Sequence, residues 1–130
     1  MRNVHESDVA IFSIKPVYAA KILSGDKKVE YRKCKCNRNI KKILIYATAP
    51  IKMVIGEVSV NGILSDDPNK VWDLTHDDGG ILKLEFDIYF LHKNVAFAYR
   101  LVDPIKYEKP HSLSEYGIER APQSFCYIKK

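Results

Sequence analysis

The segment Gly25-Asp26-Lys27-Lys28-Val29-Glu30-Tyr31-Arg32 sets three cations, Lys27, Lys28 and Arg32, around the carboxylate of Glu30. If 27–32 is extended, the two-residue period sends Lys28, Glu30 and Arg32 to one face and Val29 and Tyr31 to the other. A carboxylate between cations stays ionised, and the cations can meet a phosphate or the polar edge of a base. A solvated edge strand with interleaved charge carries the same pattern. Lys27 can work as a base only if burial or neighbouring cations lower its pKa, and Glu30 opposes that by favouring the charged form.

The charge around this segment is uneven. Residues 1–60 carry 12 basic and 5 acidic side chains, whereas residues 61–130 carry 9 basic and 11 acidic. Between Lys27 and Lys42 the cations Lys27, Lys28, Arg32, Lys33, Lys35, Arg38, Lys41 and Lys42 accompany Glu30 alone. Such a run attracts phosphates and steers a polyanion, although a lysine-rich loop also serves solubility. No Ser-His-Asp order, P-loop or Gly-x-Gly-x-x-Gly pattern offers another enzyme class. Cys34, Cys36 and Cys126 fit free thiols in a reducing compartment, and His5, His76, His92 and His111 lack ligand spacing, so neither a metal nor a cofactor is expected.

The elements that must position these groups read as one α+β domain over 9–130, after a polar, frayed segment 1–8. Its 46% hydrophobic and 28% charged residues fit an ordinary globular core. Val9 to Ile14 reads as a strand, and Pro16 opens a helix to Ser24 whose apolar face is Tyr18, Ala19, Ile22 and Leu23. Gly25 stops that helix. Lys42 to Thr48 suggests a central strand and Met53 to Val60 another. Asp67-Pro68 begins a short helical turn closed by 77–80. Leu82, Leu84, Phe86, Ile88 and Phe90 alternate as a strand would, while Leu84, Ile88 and Leu91 match a helix. Strands follow at Val95–Val102, around Ile105–Tyr107, and at Ser124–Ile128. No apolar stretch reaches bilayer length and Met1–Glu6 holds no apolar signal core, so no membrane association and a cytoplasmic location are expected.

The run from Ser13 to Lys33 resembles the opening of an ASCH domain, whose signature Gly-x-Lys-x-x-Glu-x-Arg is filled by Gly25, Lys27, Glu30 and Arg32. Ile45-Tyr46-Ala47-Thr48-Ala49-Pro50, Ile55-Gly56-Glu57-Val58 and Pro122-Gln123-Ser124-Phe125 match in order, so the resemblance runs from about Val9 to Ile128. It implies a PUA-like small mixed β-barrel with two or three short helices, with a helix at the ambiguous segment ending near Tyr89-Phe90. It also implies association with RNA or a nucleoside.

The cleft implied by that resemblance takes Lys15, Lys27, Lys28, Glu30, Arg32, Lys33, Tyr46, Gln123, Ser124 and Phe125 as binding residues. Tyr46 and Phe125 would stack a base, and Gln123, Ser124 and Thr48 would meet its edge. Either aromatic also fits the core of its strand. Some similar proteins are amidohydrolases on N4-acetylcytidine that use a lysine and a threonine three residues later. Lys27 matches the lysine, but Glu30 stands at the threonine position, leaving Thr48 or a Glu30-activated water to serve. The sequence therefore favours a binding module. A hydrolase on a nucleoside or RNA using Lys27, Glu30 and Thr48, a ribonuclease included, is the alternative, and a protein partner is also compatible.

Overall fold

The computed structural model describes residues 8–128. Residues 1–7 of the segment expected to fray lie outside the described residues, while Asp8 is buried and its carbonyl accepts the Lys41 N–H at 2.6 Å. The elements run β1 (Val9–Ile14), α1 (Pro16–Ser24), β2 (Val29–Arg32), β3 (Lys42–Ala47), β4 (Met53–Asp66), α2 (Pro68–Gly79), α3 (Lys83–Tyr89), β5 (Ala96–His111) and β6 (Phe125–Tyr127). A short 3-10 turn, Leu113–Tyr116, precedes β6.

One mixed sheet takes the order β2-β5-β4-β3-β1-β6. β1 pairs parallel with β3, in register from Val9 opposite Lys42 to Ile14 opposite Ala47, and the other pairs are antiparallel. In a flat sheet five strand spacings of about 4.8 Å would separate the edges by about 24 Å. Yet Arg32 on edge strand β2 reaches Ser124 beside edge strand β6 at 2.9 Å. The sheet is therefore a half-barrel by its backbone ladder, drawn closed by side chains. Register shifts in β4 and β5 supply the bending, one of them next to Asp103 with its φ of 54°.

Strand alternation divides the core. Phe12, Ile43, Ile45, Val58 and Tyr99 fill the barrel interior beneath Ala19 and Ile22 of α1. On the outer face Val29, Tyr31, Ala96 and Ala98 pack under α2 and α3, and Ile11, Leu44, Tyr46 and Val54 form a third cluster near the 3-10 turn. α1 spans the residues expected, with Pro16 in its first turn and Gly25, φ 90°, closing it. α2 keeps the expected bounds, from Pro68 to Gly79, but is a helix of 12 residues rather than a short turn, and β4 and β5 run continuously through 53–66 and 96–111. Pro104 survives inside β5 because the chain there is bulged and exposed.

Candidate functional site

β2 has the expected alternation. Val29 and Tyr31 face outward into the α2–α3 cluster, and Glu30 and Arg32 face the barrel interior, where the guanidinium lies 4.7 Å from the Phe12 ring centre. Arg32 Nε and Nη2 donate to Glu30 Oε2 at 3.0 and 2.9 Å, Nη1 to Ser124 Oγ at 2.9 Å, and Nη2 to the Ser13 carbonyl at 3.0 Å. The fork is thus directed at protein acceptors on both β1 and the approach to β6. This differs from the expectation that Arg32 stays available to a phosphate, because the interior-facing position on an edge strand makes it the link between the barrel edges.

Lys27 precedes β2 and folds back over it. It is only 2% exposed, and its Nζ lies 3.7 Å from Glu30 Oε1 and donates to the Gly79 carbonyl at the end of α2. The rings of Tyr18 and Tyr31 flank it, 5.6 and 5.3 Å from the ammonium. Burial lowers its pKa; Glu30 counters this, and Lys21 and Arg32 add to it. The sign that sequence reasoning left open is therefore downward. Two glycines make the approach possible. A Cβ on Gly80 would sit 2.9 Å from the Lys27 Cβ, and one on Gly79 would collide with the Tyr31 hydroxyl.

Other members of the expected cleft are dispersed. Lys28 is exposed, and its backbone joins α2 to β5 by the Asp78 carbonyl at 2.8 Å and the Leu101 N–H at 2.9 Å. Lys15 is exposed at the start of α1. Lys33 is exposed with its Nζ 4.6 Å from the Tyr89 ring centre. Ser124 belongs to the cluster through Arg32, Gln123 is exposed beside it, and Phe125 packs on Phe12 at 5.6 Å. Thr48 follows β3, its N–H bonded to the Ile14 carbonyl at 3.0 Å. Tyr46 is 5% exposed and lies in the outer cluster with Ile11, Leu44 and Val54, on the face opposite Phe12 and Arg32. It is a core residue there and no stacking platform for the Lys27 cluster.

Sequence reasoning missed Tyr18 and Glu85. By its spacing Tyr18 belongs to the apolar face of α1, yet its hydroxyl donates to the Glu85 carboxylate on α3. That bond, with burial, pushes the phenol pKa up to about 12. The contact crosses 67 residues of chain, so no local pattern signals it. The pair Gly79-Gly80 marks a helix stop in the sequence and, in the fold, a close backbone approach as well. Among the described residues no group of three His, Cys, Asp or Glu side chains is placed to hold a metal ion, and no helix is long and apolar enough to cross a membrane.

The family model described as ASCH domain matches residues 12–111. A Zymomonas mobilis protein named ASCH domain-containing ribonuclease is 31% identical over 137 residues, covering 100% of this chain and 90% of that protein. The crystal structure of ASCH from Zymomonas mobilis matches with a TM-score of 0.88 at 29% identity, covering 95% of this chain and 90% of that one. The large ribosomal subunit protein uL22 of Ureaplasma parvum is 30% identical over 112 residues, 85% of this chain and 36% of that protein. The chain thus spans about a third of the length of that relative.

Proposed function

The chain belongs to the ASCH domain family, and we propose that it binds single-stranded RNA at the cluster of Lys27, Glu30 and Tyr18 and cleaves it there. The observation that carries this reading is the environment of Lys27, an ammonium 2% exposed whose pKa burial lowers, next to an ion-paired carboxylate. A lysine whose charged form is penalised can take the proton of a ribose 2′-hydroxyl. The 2′-oxygen then attacks the adjacent phosphorus and the P–O5′ bond breaks. The products are a 2′,3′-cyclic phosphate and a 5′-hydroxyl protonated from solvent. Tyr18, partly exposed and lying over Lys27, is the side chain a substrate meets first. Its phenol stays protonated far above neutral pH and can donate to a phosphate oxygen on leaving Glu85. The similarity along the whole chain to a protein named as a ribonuclease supports the same class of substrate.

Lys27→Met tests the proposal because it keeps a long buried side chain without the amine. Wild type should cut a short RNA to products ending in a cyclic phosphate and leave uncut the same strand carrying a single 2′-deoxyribose at the scissile position. Lys27→Met should lose cleavage by about a hundredfold or more while retaining RNA affinity. Cleavage that persists in Lys27→Met removes the lysine from the chemistry. RNA binding by the wild type without cleavage would leave a binding module.

A further inference from the structure

A second set of polar groups lies away from the Lys27 cluster and takes no part in it. The basic loop between β2 and β3 folds over the middle of β4 and encloses, with residues 60–63, an open cavity of about 400 Å³. Lys35, Asn37, Arg38, Asn39, Lys41 and Asn61 line it, all six are exposed, and no carboxylate is among the lining residues. Three cations and three amides around one concavity suit an anion. Asn37 and Asn39 serve no expected cleft, and Asn61 comes from another element, so sequence spacing alone does not assemble the group.

We infer that this cavity is a second RNA contact, which holds the phosphodiester backbone of a strand whose reacting nucleotide sits at Lys27; the inference rests on the RNA reading above. Direction along the barrel supports it. Lys41 adjoins the end of β3 where Val9 pairs with Lys42, while Ser13, which binds Arg32, pairs with Tyr46. Those two levels are four residues apart on β1, or about 13 Å along the strand. At about 3.4 Å per stacked nucleotide that is about four nucleotides along the strand direction to the level of Arg32, the member of the cluster bound to Ser13. The chemistry also favours RNA over an acidic peptide. The exposed Arg38 guanidinium stacks on the Tyr127 ring at 4.4 Å, and its N–H groups suit a phosphate beside a stacked base. The asparagine amides both donate and accept, which suits phosphate oxygens and base edges together. The loop is fixed rather than loose at this point, since the Arg38 N–H donates to the Tyr127 hydroxyl at 3.1 Å and the Cys36 N–H to the Tyr99 hydroxyl at 2.9 Å.

The test compares a twelve-nucleotide 2′-O-methyl RNA, which cannot be cleaved, with a dinucleotide too short to span both places. The triple variant Lys35→Ala/Arg38→Ala/Lys41→Ala should bind the twelve-mer about tenfold or more weakly, and its log affinity should depend on log salt with a slope shallower by about two. Asn61→Asp, which adds a carboxylate and deletes nothing, should weaken the twelve-mer in the same direction. Melting temperatures check that both variants are folded. If the twelve-mer binds the triple variant as it binds wild type while the dinucleotide still binds, the second contact is overturned and the RNA reading stands. If wild type binds neither oligonucleotide, it is the RNA reading that fails. Displacement of the twelve-mer by polyglutamate at equal charge concentration would overturn the choice of RNA.

Discussion

Arg32 and Lys27 are neighbours in the cluster with opposite availability. Arginine offers five N–H donors in one plane, and here the fork is taken up by Glu30, Ser124 and the Ser13 carbonyl. Lysine at position 32 would keep the charge but could not meet three acceptors in different directions. Each buried acceptor left without a donor costs about 1–3 kcal/mol. Arg32→Lys should therefore lower stability by about 2 kcal/mol or more in urea unfolding, while the salt dependence of RNA binding keeps its slope. A slope shallower by about one phosphate contact, with stability intact, would assign Arg32 to the ligand instead. Glu30 links the two cations, accepting from Arg32 at 2.9 Å and lying 3.7 Å from Lys27. Its neutralisation therefore acts on both the edge link and the lysine's charge.

At the level of elements, α3 separates what the sequence makes legible from what it does not. Residues 82–90 satisfy both a strand alternation and a helical stripe, and the two patterns share Leu84 and Ile88. The segment is a helix, but the face that packs is Phe86 and Phe90, at 1% and 4% exposure, while Leu84, Ile88 and Leu91 are each more than 60% exposed. Phe86→Ala should thus cost about 3–5 kcal/mol, and Ile88→Lys should stay within about 0.5 kcal/mol of wild type. A large loss in Ile88→Lys by chemical denaturation would show that the apolar stripe is packed in solution. The same ambiguity hid the place of Tyr46. Every residue of β3 from Ile43 to Ala47 is buried, so apolar pattern cannot tell which face of that strand looks into the barrel. On β2 the charges break the symmetry, and the pairing of Glu30 with Arg32 was legible for that reason. Gly25 and Pro16 bounded α1 from sequence because both act locally, whereas the Tyr18–Glu85 contact depends on how α1 and α3 meet in the fold.

Over the whole molecule, closure of the half-barrel takes the Tyr99 phenol out of water, while Tyr18 and Tyr107 stay half-buried. Tyr99 is fully buried, stands edge-on to Phe12 with ring centres 5.3 Å apart, and accepts the Cys36 N–H, so it ties the basic loop to the barrel wall. Burial first, and then its neighbour Cys36, raises its pKa, and the pKa values of Tyr107 and Tyr18 are raised as well. An unfolded tyrosine ionises near pH 10. Between that pH and the raised folded value the unfolded state binds fewer protons than the folded one, so stability is fully present below pH 10 and falls as pH rises beyond it. Lys27 acts in the opposite sense, because its lowered folded pKa makes stability rise as pH climbs toward the unfolded lysine value. A comparison with Tyr99→Phe cancels Lys27 and isolates the buried phenol. Near neutral pH the variant should be less stable by about 1–3 kcal/mol, since the Cys36 N–H loses its acceptor. Above pH 10 it lacks the share of the decline that Tyr99 contributes, so the two curves should converge as pH rises. Urea midpoints at about pH 8 and about pH 11 measure the gap, and a gap equal at both would mean that Tyr99 titrates in the folded protein as it does in water.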